Sequence, residues 1–400
     1  MKGDLIIGNS FFNDKRVKYL QYGVMWAFVI LFVFNDNGYA KDKSITERKD
    51  SETAALFDLE KNEIACDVKK EADACFAIGK HYYSFNKIVG ENFYSINNSN
   101  PKSKPKKAFF WFQKGANLGH LKAQTHLGLM HLYGVGVAKD SKKGLLLVEE
   151  SAKKGEPLAQ NDLGVLYKTG YVVKKDLRIS FYWLQKSAEQ GYSEGQRNLG
   201  ISYRHGEGAV KNYKQALFWY RKAASQKNAA AVLDLGFMYG NGLGVPKDLN
   251  QALFWYKKAA DQGVMQAQFN VANAYASGKG VEKDLKEAAK WYEKSALQGF
   301  EPAQSNLGVY FATGKGVEKN YQQAAFWFKK AAEAGDADAQ NNLGYLYETG
   351  SGVPKSLEKA KFWYLKSAAQ GNAGGKFGLC LLYTSPSPRD QRGSRMPSSA

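Results

Sequence analysis

Three short stretches match spacings used in acyl transfer. Lys168-Thr169-Gly170 is a literal KTG, and Ser151 with Lys154, or Ser356 with Lys359, sets a hydroxyl and an amine at the SxxK spacing. That chemistry also uses an SDN element, and the chain has none. Each SxxK is a serine in a lysine-rich stretch, and the KTG shares its place with Ala312-Thr313-Gly314 and Glu348-Thr349-Gly350, which marks it as turn chemistry. The histidines are His81, His120, His126, His131 and His205. His126 and His131 stand five apart on one expected helix, poor geometry for sharing a metal, so no metal site and no cofactor are expected. Gly240, Gly242 and Gly244 imitate a phosphate loop, but no strand precedes them, which excludes a nucleotide-binding fold.

The elements behind these residues are copies of one unit. The pattern LGxxYxxGxGVxKD places its first glycine at Gly128, Gly164, Gly200, Gly236, Gly308 and Gly344, with Ala272 in the vacant slot, each step being 36 residues. Trp111, Trp183, Trp219, Trp255, Trp291, Trp327 and Trp363 keep a second phase, with Leu147 in their missing slot. Each unit reads as two helices. Ala159, Leu163 and Tyr167 make the apolar stripe of a first helix, and Phe254-Trp255-Tyr256 typifies the aromatic stripe of a second. Asp140, Asp176, Asn212, Asp248, Asp284, Asn320 and Ser356 stand where the second helix needs an N-cap. That helix is expected to stop at glycines such as Gly119 and Gly263, with Lys227 breaking the series. Neither helix can bury its stripe alone, so units must stack on their neighbours.

This grammar resembles the Sel-one-like repeat family, a relative of the tetratricopeptide repeats, over about Cys66 to Leu379. The resemblance implies an all-α fold, a right-handed α/α solenoid of 36-residue helix-turn-helix repeats, that serves as an adaptor for protein partners. Cys66 and Cys75 are the two cysteines ahead of position 380. Their spacing resembles that of the family's cysteine-rich branch, which staples adjacent helices by a disulfide; two small buried thiols are the alternative. Members of that branch have been linked to β-lactam hydrolysis, so a weak hydrolase of β-lactam or cell-wall-related substrates is the alternative function.

The best candidate for partner contact is a ladder two residues before each anchor: Asp162, Asn198, Asp234, Asn270, Asn306 and Asn342. Short amides and carboxylates repeated once per unit could bond the backbone of an extended segment on the concave face, or could simply bond within the array. The formal net charge of +18 admits an acidic partner, but much of the lysine recurs in turns and on second helices as a solvated surface. A nucleic-acid partner fits poorly with export, which the N-terminus suggests. Lys15, Arg16 and Lys18 precede an apolar run, Tyr22 to Phe34, and small residues precede a cut after Ala40. That run is shorter than the roughly 20 residues a spanning helix needs, so a cleaved signal and a periplasmic or secreted bacterial protein are expected, with no lasting membrane span.

The expected organisation is a signal at 1–40, a linker at 41–64, an irregular first repeat at 65–106 with a surface loop around Ser84 to Lys106, and tandem repeats at 107–379. Residues 380–400 read CLLYTSPSPRDQRGSRMPSSA and resemble translated sequencing-library adapter, so they are expected to be artefact and without order.

Overall fold

All seven residues expected to cap second helices do so. In the computed structural model, which describes residues 59, 61–67, 70–83, 85–87, 94–96 and 104–384, the side chains of Asp140, Asp176, Asn212, Asp248, Asp284, Asn320 and Ser356 accept N–H groups of the first helical turn. The chain divides into two units at the Ala65–Cys66 junction, and every repeat lies in the second. The expected signal at 1–40 lies outside the described residues. Among the described residues no helix is long and apolar enough to cross a membrane. Residues 61–67 are helical, so the end of the expected linker is helix, in a stretch with neither Gly nor Pro to break it.

From Cys66 onward the elements are α1 (Ala72–Tyr82), β1 (Phe85–Lys87), β2 (Tyr94–Ile96), α2 (Pro105–Asn117), α3 (Leu121–Tyr133), α4 (Ser141–Lys153), α5 (Pro157–Thr169), α6 (Leu177–Glu189), α7 (Ser193–His205), α8 (Tyr213–Ser225), α9 (Ala229–Asn241), α10 (Leu249–Ala260), α11 (Met265–Ser277), α12 (Leu285–Leu297), α13 (Glu301–Thr313), α14 (Tyr321–Ala334), α15 (Ala337–Thr349), α16 (Leu357–Ala369) and α17 (Ala373–Thr384). Odd-numbered helices are first helices and even-numbered ones second helices. Each packs on the helices before and after it, which is the α/α solenoid that the 36-residue pattern requires.

The anchor glycine, present in the first helices from α3 to α15 except α11 with its Ala272, makes room for one particular side chain. A Cβ at Gly236 would lie 2.5 Å from the Tyr256 ring, and one at Gly308 would lie 2.6 Å from the Phe328 ring. The residue that fills this space is the one after each repeat tryptophan. Tyr220 is fully buried in this way and anchors a core with Leu235, Met238 and Leu253. The aromatic stripe of the second helix therefore needs correction. Consecutive residues on a helix point about 100° apart, so the triad divides: Tyr256 turns toward Gly236, Trp255 is half-buried, and Phe254 is exposed.

Polar groups are matched between units by a series of glutamines. Gln160, Gln196, Gln268, Gln304 and Gln340 are buried, and each donates through Nε2 to an alanine carbonyl at the end of the preceding second helix, at 3.1–3.3 Å. The recurrent Gln just after a small residue was the available signal. Lys227, expected to alter a helix stop slightly, takes a left-handed φ of 61° where the glycines of the other repeats take 85–116°, so the stop stays left-handed with a smaller φ.

At the N-terminal end, Cys66 and Cys75 form a disulfide, Cα atoms 5.0 Å apart, and Lys114 of α2 pairs with Asp67. The bridge closes a short loop, and by chain entropy its loss should lower the stability of this end by roughly 2–3 kcal/mol. Urea unfolding of the Cys66→Ser/Cys75→Ser variant against the oxidised chain measures this; coincident midpoints would count against a stabilising bridge. The insertion is not loop throughout: β1 and β2 pair antiparallel, Phe85 opposite Ile96. The Lys104 N–H donates to the Tyr82 carbonyl at 3.0 Å and closes the neck of the insertion. At the other end α17 continues to Thr384, so the expected disorder does not hold for 380–384. Cys-Leu-Leu-Tyr has no breaker and carries the helix on. Residues 385–400 lie outside the described residues.

Candidate functional site

The ladder slot lies on the first helices two residues before each anchor, and the structure splits it in half. Asp162, Asn198 and Asp234 are buried. On α5, Asn161 donates through Nδ2 to Asp162 Oδ1 at 3.1 Å, and its own Oδ1 accepts from Asn198 Nδ2 of α7 at 2.7 Å. Burial, reinforced by the Asp162 charge, holds the phenols of Tyr83, Tyr133 and Tyr192 protonated, with pKa values raised. Asp234 of α9 takes Arg197 Nε at 2.7 Å and Arg204 at 3.6 Å. These three members bond within the array, so a ligand could reach them only by breaking buried pairs.

Asn270, Asn306 and Asn342, on α11, α13 and α15, are half-buried. Asn270 lines an open cavity of about 240 Å³ between α9, α10 and α11, whose wall also holds Tyr256, Asn273, Ser277 and Lys279. Burial and the Asp234 charge push the Tyr256 phenol up to about 12. Next along, the Tyr292 hydroxyl donates to Asn273 Oδ1 at 2.6 Å. Burial and neighbouring Tyr310 push its pKa up to about 12, against a hydrogen bond with Asn306. At neutral pH both phenols therefore stay protonated. The cavity wall offers amide donors and acceptors, hydroxyls and one lysine, which suits the N–H and C=O groups of an extended chain.

The motif matches to acyl transfer have structural duties. Thr169 Oγ1 donates to the Val165 carbonyl at 3.0 Å, Gly170 is the left-handed cap of α5, and Lys168 pairs with Glu207 at 2.7 Å. Ser356 caps α16 by accepting the Lys359 N–H. Ser151 is fully buried. His131 is buried with its ring edge-on to Phe109, and His126 lies stacked on Phe112 and Phe76. Among the described residues no group of His, Cys, Asp and Glu could hold a metal ion.

These repeats are matched by known proteins. A sequence profile of the Sel1 repeat matches residues 99–120, 121–156, 157–192, 193–228, 229–264, 266–300, 301–336 and 337–372. A comparison with curated protein sequences finds no match. Among solved structures, c5321, a protective antigen present in uropathogenic Escherichia coli strains and displaying an SLR fold, is 34% identical. The match covers 84% of this chain and 69% of that one, with a TM-score of 0.61. A Sel1 repeat protein from Oxalobacter formigenes is 29% identical over 81% of this chain and 90% of its own, with a TM-score of 0.57. Eight matched repeats, seven of them coinciding with observed helix pairs, and a solved relative a third identical along most of the chain, place this protein in the Sel1 repeat family.

Proposed function

We propose that this chain is an exported scaffold that holds an extended segment of a partner protein against the first-helix face from α11 to α15. Sel1 repeat proteins generally mediate protein–protein interaction, and the contrast within the ladder carries the reading for this one. Asn270, Asn306 and Asn342 are half-buried, Asn270 on the wall of a cavity, whereas Asp162, Asn198 and Asp234 are buried within the array. Lys279 on the cavity wall favours an acidic group on the segment. Export is supported by the signal-like residues 1–40 and by the Cys66–Cys75 disulfide, a bond that persists in oxidising compartments. The relative c5321 is a protective antigen, a property that fits a location outside the cytoplasm.

A displayed library of extended peptides tests the site. Acidic peptides should be enriched, and Asn270→Ala with Asn306→Ala should weaken the best of them about tenfold or more, since each lost hydrogen bond contributes about 1 kcal/mol. Asn198→Ala should change stability and leave affinity alone. Equal binding by the double variant and the parent chain would remove this face from consideration.

A further inference from the structure

The residue before each repeat tryptophan, on the second helices, faces solvent although it is apolar in nearly every repeat. Phe110, Tyr182, Phe218, Phe254, Phe326 and Phe362 are 46–55% exposed, and Leu146 in the same slot is 54% exposed. Ordinary surface helices place polar residues in such a slot. The positions four before and four after it lie on the same helix face. On α6, α8 and α10 these flanking positions hold Arg178, Lys186, Lys214, Lys222, Asn250 and Lys258, all exposed. Three successive second helices therefore present an aromatic–basic line at one register, basic on both sides of the ring on α6 and α8 and on one side on α10, where Asn250 takes the other. The ammonium groups lie close to the rings: Lys222 Nζ is 4.7 Å from the Phe218 ring centre, and Lys186 Nζ is 5.8 Å from that of Tyr182. The line is interrupted by Lys290 on α12; on α14 and α16 the ring and the lysine after it recur, with Lys330 and Lys366 5.0 and 4.7 Å from the rings of Phe326 and Phe362, but Gln322 and Glu358 take the position before.

From this surface we infer that the outer face of α6, α8 and α10 docks on an anionic lipid bilayer. Charge complementarity names the occupant's sign, because no acidic residue occupies a flanking position on these three helices. The aromatic type narrows its chemistry. Five of the six exposed rings are phenylalanine, which has no donor or acceptor for a polysaccharide or a peptide backbone but inserts readily at the headgroup–acyl boundary. Lysine and arginine stems lie alongside and lift their charges to the lipid phosphates. Repetition narrows it further: a similar contact on successive second helices matches a partner that is uniform along its surface, as a leaflet is, rather than one with a single folded epitope. This face belongs to the second helices and is separate from the peptide-binding slot on the first helices.

Vesicle co-sedimentation of the full chain tests the inference. Phosphatidylcholine mixed with phosphatidylglycerol in roughly equal parts should bind it at low salt, and binding should fall about tenfold or more at high salt or on pure phosphatidylcholine. Tyr182→Ser/Phe218→Ser/Phe254→Ser should weaken vesicle binding at least about tenfold with an unchanged thermal midpoint, since the rings lie outside the core. Lys214→Gln/Lys222→Gln/Lys258→Gln should do the same and keeps the test open if the first variant unfolds. The apolar run at 22–34 is present in every variant, so the difference between variants reports on this face alone. Unchanged vesicle binding by the glutamine variant would overturn the inference. So would saturable binding to poly-glutamate with no preference for the anionic vesicles.

Discussion

Gly316→Ala is expected to destabilise the array by about 4 kcal/mol, a large effect for a single methyl group. Gly316 has φ of 69°, a left-handed conformation that costs an alanine about 1–2 kcal/mol. A Cβ there would also overlap the backbone carbonyl of Leu285, the first residue of α12. Backbone cannot swing aside as a side chain would, so relief requires parting the turn after α13 from the preceding unit, an overpacking cost of about 1–3 kcal/mol. The same seat recurs where Gly244 rests on Tyr213 and Gly352 on Tyr321. The second glycine of each GxG therefore spaces one unit against the last. Val172 occupies this seat with φ of 59°, an outlier for a β-branched residue, and the reciprocal Val172→Gly should raise stability by about 1 kcal/mol. Urea unfolding, with amide exchange read at α12 and α13, checks both; a Gly316→Ala chain within about 0.5 kcal/mol of the parent would show that the seat has room.

Acid should loosen the N-terminal end through His126. Burial pushes this imidazole from the usual 6.5 down to about 4, helped by the charges of Lys80, His120 and Lys122. Its ring is stacked on Phe112 at 4.9 Å and on Phe76 at 5.6 Å, and Tyr83 meets it edge-on. Its Nδ1 is buried with no hydrogen-bond partner among the described residues, so nothing there stabilises a second proton. The unfolded chain takes up that proton near pH 6.5, whereas the folded chain resists it until about 4. Between these values the unfolded state binds more protons, so stability is full above about 6.5 and declines as the pH falls toward 4. The loss is on the order of 3 kcal/mol. His126→Phe, which continues the stack of rings, should flatten this dependence in amide exchange at α1 to α3. An unaltered pH profile in that variant would assign the acid sensitivity to other groups.

Much of this protein is local and was therefore legible in its residues. The Ser, Asp and Asn caps act on N–H groups within their own first turn, the Gly that follows each first helix acts on its own φ, and the 36-residue step follows from copying that unit. Family, helix pairs and the cysteine pair could all be read from these features. The division of the ladder could not. Asp234 and Asn270 stand in the same slot with similar short polar side chains, yet Asp234 is closed off because Arg197, one residue out of phase in the preceding repeat, reaches it. Three aromatic residues in a row satisfy any apolar pattern, so the sequence does not separate Phe254 from its neighbours, and only the packing of Tyr256 into the space over Gly236 decides which ring faces out. Caps, turns and period were determined by the sequence itself, because each rests on bonds within about one helical turn. Which polar residue stays open and which ring meets solvent was decided by the tertiary structure, because the deciding neighbour stands on an adjacent helix, a distance along the chain that periodicity does not encode.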